Sequence, residues 1–228
     1  MPAETQKRIL VPTLDPESWK RLLGKPDLHW KPGRSAMMVA EQWESHAGLP
    51  DSVSAILAAN GFDDPELLLA VPEWKTSLPD GYKPTQTDVF ALVRCESGVI
   101  ALCVEAKVRE PFGKLIGQWL QETSAAGGKR LDDLLQIIGA TESLPHHLRY
   151  QLVHRTAAAC IEAERFNAAA AVMVVQSFSN QDAGFNDFSE FFRWLGVNDV
   201  RPDELFQVPA KHGIPLYVGW ISEGGGND

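Results

Sequence analysis

The sequence predicts an α/β domain in which helices flank a mixed central sheet. Three observations carry that reading. Residues 87–95, "TDVFALVRC", and 99–108, "VIALCVEAKV", are rich in β-branched and aromatic side chains and enclose a short Gly-containing turn at 96–98, as a β-hairpin does. Helical patterns stand before and after that hairpin. Two further apolar runs, 170–178 and 215–222, read as buried strands, so strands and helices alternate along the chain.

In order, residues 14–23 form a short helix with Asp15 as N-cap and Pro16 at the first helical position. Residues 35–47 form a second, ended near Gly48 and Pro50. Residues 51–59 run from a capping Asp51 to Asn60-Gly61, a helix-stop signal. "DDPELLLAV" (63–71) reads as a further helical turn, and Glu73-Trp74-Lys75, which follows Pro72, as a loop. Beyond the hairpin, 111–122 carries Leu115 and Trp119, and Ile116 and Leu120, at i,i+4 spacing, which suggests a helix. A flexible "SAAGG" (124–128) leads into a helix over 129–140. A long Ala-rich helix covers 147–166. Strand 170–178, a helix over 185–196 with Asp187 as cap, strand 215–222 and a flexible tail "SEGGGND" complete the chain. All of it fits a single domain spanning 1–228, with no internal repeat.

Composition narrows the class. The chain has 228 residues, 44% hydrophobic and 22% charged, enough to bury a full core. No stretch approaches the ~20 apolar residues of a membrane span. "MPAETQKRILVP" has no apolar signal core, and three cysteines without metal-like spacing suit reduced thiols, so the expected location is cytoplasmic and the expected partners exclude a membrane. A net charge of −9 argues against a surface built wholly to grip nucleic acid, but leaves room for a local basic groove. Basic residues concentrate between 107 and 155, interleaved with acids. His146, His147 and His154 lack partners at zinc spacing and read as surface residues.

The hairpin's second strand holds the chemistry. Ile100, Leu102, Val104, Ala106 and Val108 form one continuous apolar face. Ala101, Cys103, Glu105, Lys107 and Arg109 form the other, which passes from small residues to charges. Glu105 and Lys107 therefore share a face, about 7 Å apart along it. A turn at 96–98 gives paired positions summing near 195, which sets Asp88 beside about position 107. Two carboxylates and an ammonium converge. Two such carboxylates suit Mg²⁺, which takes oxygen ligands and leaves positions for water and phosphate. A nearby lysine can orient the attacking water or stabilise developing charge. A lone Glu-x-Lys has little weight, since chance supplies on the order of one per chain; strand context and Asp88 set this one apart. The alternative for the same three residues is a structural ion pair.

Asp88, then a strand, then Glu105-Ala106-Lys107 resembles the D…(D/E)-x-K signature of the PD-(D/E)XK nuclease superfamily, the restriction-endonuclease-like fold. The resemblance covers roughly 35–178, with N-terminal helical and C-terminal strand additions. Thr87 stands where the signature has proline. The resemblance implies an α-β-β-β-α-β core and a nuclease that hydrolyses DNA phosphodiester bonds with Mg²⁺ or Mn²⁺. Asp88 and Glu105 would hold the metal and Lys107 would position the water. It further implies an acid from the leading helix, for which Glu41 is the first candidate and Glu44 the second. A glutamine on the helix after the motif is matched by Gln118. Lys114, Lys129 and Arg130 are candidate phosphate contacts, and a homodimer is compatible with the family. A catalytically inactive module of the same fold, used for protein interaction or assembly, is the alternative function.

Overall fold

Apolar, β-branched runs supply the strands of one six-stranded mixed sheet in a computed structural model that describes residues 12–123, 125–179, 183–209 and 213–223. The strands are β1 (Glu66–Thr76), β2 (Thr85–Cys95), β3 (Gly98–Lys107), β4 (Ala170–Ser177), β5 (Leu205–Gln207) and β6 (Leu216–Ser222), in the order β1-β2-β3-β4-β6-β5. β1, β2 and β3 form an antiparallel meander; β4 joins β3 in parallel, and β6 joins β4 in parallel. β5 pairs antiparallel with β6. Glu96 and Ser97 close the β2–β3 hairpin, and Gly98, opposite Cys95, sits at φ +122, which a side chain disfavours.

Seven α-helices among the described residues cover the sheet: α1 (Pro26–His29), α2 (Ser35–Glu44), α3 (Asp51–Ala58), α4 (Ile116–Glu122), α5 (Ala125–Ile138), α6 (Tyr150–Arg165) and α7 (Phe185–Trp194). A 3-10 helix over Pro16–Leu22, capped by Asp15 as expected, precedes them. Two cores result. On one face, Val89, Leu102, Val104 and Val172 pack with Val39, Trp43 and Ile56 of α2 and α3 and with Trp19. On the other, Phe90, Cys103, Met173 and Trp220 pack with Leu134, Val153 and Phe188. β3 and β4 are buried on both faces, hence their nearly unbroken apolar sequences.

The structure departs from expectation at several places. The stretch read as a helical turn and a loop, 63–75, is largely the eleven-residue edge strand β1. The predicted helix at 111–122 begins only at Ile116, while α5 starts at Ala125, inside the "SAAGG" read as flexible. β5 and α1 were not anticipated. The N-terminal stretch through residue 11, Ser124 and residues 224–228 of the tail lie outside the described residues. The three cysteines are free and buried. Among the described residues, no helix is long and apolar enough to cross a membrane.

Candidate active site

The two-residue turn sets the hairpin register at a sum of 193 rather than the expected 195, with Val89 opposite Val104. One residue further on, Asp88 faces Glu105 rather than Lys107. There the Ala106 amide donates to Asp88 Oδ2 at 2.6 Å, so a carboxylate caps the end of the β2–β3 ladder. β3's alternation sends Val104 and Ala106 to the α2 side and Glu105 and Lys107 to the α6 side.

Glu105 and Lys107 are 3% and 4% exposed, so their charges need partners in place of water. Lys107 Nζ donates to Glu105 Oε1 at 2.7 Å and to Gln151 Oε1 at 3.2 Å, and lies 4.9 Å from the Phe112 ring centroid. Gln151 Nε2 donates to Glu105 Oε1 at 2.5 Å. Arg155 Nε donates to Glu105 Oε2 at 2.5 Å, and Arg155 Nη1 to Thr85 Oγ1 at 2.6 Å. Gln151 and Arg155, one turn apart on α6, thus reach across to the strand pair. Sequence reading missed both. Their signal was two polar side chains at i,i+4 in an otherwise Ala-rich helix.

Glu73 is the third carboxylate. Pro72 pairs with Val89 and Trp74 with Thr87, which leaves Glu73 and Asp88 across from one another. Glu73 has φ +54, an uncommon conformation for a residue with a side chain. Val71 and Trp74 both pack in the α6-side core although three residues apart, so side-chain alternation slips at Glu73. Gln86 Nε2 donates to Glu73 Oε2 at 2.5 Å.

The charges do not balance within this group: Glu73, Asp88 and Glu105 face only Lys107 and Arg155. Burial would raise Glu105, but Arg155 and Lys107 hold it below the usual carboxylate range. Burial and the repulsion of Glu105 push Asp88 up to about 7. Burial and Asp88 push Glu73 up to about 8. His154, bonded to Thr85 Oγ1 at 2.7 Å, is held well below its ordinary value by burial and by Arg155, Arg130 and Lys107, and is therefore neutral.

A hard cation would have to displace partners here, since both Glu105 oxygens already accept from Lys107, Gln151 and Arg155. Asp88 and Glu105 offer oxygen, the group carries an excess carboxylate, and Ser177, the β4 register partner of Lys107, has a buried hydroxyl without a hydrogen-bond partner. Among the described residues, no group of three or more His, Cys, Asp or Glu side chains converges for a metal.

The remaining candidates lie elsewhere. Glu41 is exposed on α2, which packs on the opposite face of the sheet. Glu44 accepts from Trp19 Nε1 at 2.6 Å and Thr13 Oγ1 at 2.5 Å, anchoring the N-terminal segment. Gln118 is exposed in the first turn of α4, where its side chain accepts from the Leu115 amide at 3.2 Å; the glutamine that touches Glu105 and Lys107 is Gln151. Lys114 pairs with Glu122, Lys129 with Asp133 at 2.9 Å, and the Arg130 guanidinium lies 5.6 Å from the Tyr82 ring centroid.

The family model for a domain of unknown function, DUF6946, matches residues 12–224, and the chain belongs to that family. No curated protein and no solved structure matches it.

Proposed function

We propose that this DUF6946 protein is a metal-dependent nuclease with a restriction-endonuclease-like core, hydrolysing DNA phosphodiester bonds. One observation carries the reading: Asp88 lies where β2 parts from β3, across from Glu105, and Lys107 follows on the same face of β3. The order of elements supports it. A helical layer, an antiparallel meander, the crossover helix α6 and a strand parallel to β3 repeat the α-β-β-β-α-β order that the resemblance implies.

Asp88 and Glu105 would hold Mg²⁺ or Mn²⁺, which when bound supplies a lowered water pKa and neutralises charge on the phosphate. Lys107 would orient the attacking water. Gln151 fixes that ammonium, since its carbonyl accepts from Lys107 while its amide donates to Glu105. Arg155 keeps Glu105 ionised in a dry site. The group excludes bulk water, which strengthens each of these interactions.

A second reading, a catalytically inactive module of the same fold, is favoured by one observation. Both Glu105 oxygens already accept from cations, and the Lys107–Glu105 contact is closed to solvent. Plasmid nicking in Mg²⁺ or Mn²⁺ separates the two. The nuclease reading expects cleavage that Lys107→Ala lowers by about a hundredfold or more. No cleavage by the wild type, or equal residual cleavage in both proteins, leaves the inactive module.

A further inference from the structure

A cavity of about 640 Å³ opens where β3 and β4 end, just past Lys107. Its walls come from the turn before α2, with Gly33 and Arg34, and from the segments after the two strands, with Arg109, Glu110 and Phe178. The Phe178 amide donates to the Lys107 carbonyl at 2.7 Å, which ties the cavity wall to the candidate site.

Its charge is unusual for this acidic chain. Arg34 and Arg109 are both exposed, and among the described residues neither makes an ion pair. Glu110 lines the same cavity as an ionised carboxylate and offsets one of the two positive charges. Its carboxylate accepts from the Arg109 and Val108 amides at 3.0 and 3.3 Å and from the Ser35 hydroxyl. By contrast, Lys114 and Lys129 are occupied by acids. Two free guanidinium groups on one concavity present planar forks of the kind that match phosphate oxygens.

We propose that this cavity binds the sugar–phosphate backbone of a single DNA strand, with Arg34 and Arg109 as its phosphate contacts. The choice of ligand rests on the nuclease reading; the site itself contains none of the three carboxylates. The two arginines flank a cavity in the size range of ordinary ligand sites, which suits one strand's backbone rather than a whole duplex.

Fluorescence anisotropy of a labelled short single strand, in EDTA so that no cleavage occurs, tests the site. The wild type binds; Arg34→Ala/Arg109→Ala binds about tenfold or more weakly, and its log–log salt slope is shallower by about 0.7 for each phosphate no longer neutralised. Arg34→Lys/Arg109→Lys keeps the charge but loses the forks, so its affinity falls between those of the wild type and the Ala variant, with the wild-type salt slope. Melting temperatures equal to wild type show that the variants fold. Absence of wild-type binding, an unchanged affinity and slope in the Ala variant, or tighter binding of duplex than of single strand each overturns the proposal. A protein that binds through both arginines yet never cleaves plasmid loses the nuclease reading and keeps the site. One that cleaves plasmid with unaltered affinity in the Ala variant does the reverse.

Discussion

Glu105 has exchanged water for three side-chain donors, from Lys107, Gln151 and Arg155, whereas Asp88 and Glu73 have exchanged it for much less. That difference sets the pH behaviour. Unfolded carboxylates titrate near 4, while folded Asp88 and Glu73 titrate at about 7 and 8. Between those values the unfolded chain has lost protons that the folded chain retains. Their contribution is therefore complete below about pH 4 and lost as pH rises through about 7 to 8. Glu105 acts in the opposite sense, since its value is lowered; its contribution holds above about pH 4 and is lost below it. In EDTA the melting temperature should fall between about pH 5 and pH 8, and Asp88→Asn should flatten that fall. Under the nuclease reading, Mg²⁺ should raise the melting temperature more at pH 8 than at pH 5, because protons and metal compete for the same oxygens. A metal effect that is absent, or equal at both pH values, would separate these carboxylates from cation binding.

At the scale of elements, β1 is both the least legible strand and the one that completes the acidic group. Its register breaks between Leu67 and Leu69, Pro72 interrupts it, and its alternation slips at Glu73. Each irregularity erased the period of two by which a strand is recognised, and the leucine run then resembled a helix. The same irregularities blunt an exposed sheet edge against strand addition, aided by the exposed Lys75. Two substitutions separate strain from charge at Glu73. Glu73→Gln removes the carboxylate that burial and Asp88 push up to about 8 and should leave the Asp88 titration seen by NMR near 7, because Asp88 ionises first. Glu73→Gly also relieves the left-handed backbone and should add about 1 kcal/mol of stability over the Gln variant, measured by urea unfolding. An equal stability for both would mean the backbone stores no strain.

β3 was legible for the opposite reason: five alternating positions, 100 to 108, announced its apolar face, and Glu105 and Lys107 stood out on the other. Asp88 followed from hairpin geometry, with an error of two residues, of which the turn, one residue shorter than expected, accounts for one. Gln151 and Arg155 were not accessible in this way. They lie 46 and 50 residues beyond Glu105, and only the packing of a crossover helix brings them to it.

Across the whole molecule, the segments outside 35–178 are structural parts of the sheet and of its second core. Trp19, Leu205 and Ile221 belong to the core behind β3, and β6 covers the edge of β4. A fragment of residues 35–178 would expose that apolar surface and leave a fully buried strand as an open edge. It should fail to give a cooperative melt, whereas 12–223 should melt like the full chain; a folded short fragment would show the outer segments to be dispensable.

The interior also governs the sulfur chemistry. Burial pushes the Cys95 thiol up to about 11 and Cys160 up to about 12, and Cys103 is raised as well. Nucleophilic thiolate is therefore scarce in the native chain, and oxidants and alkylating reagents meet no ready target. Each molecule that does become labelled has first opened its core. The three sulfurs thus keep a covalent tally of excursions away from the native state.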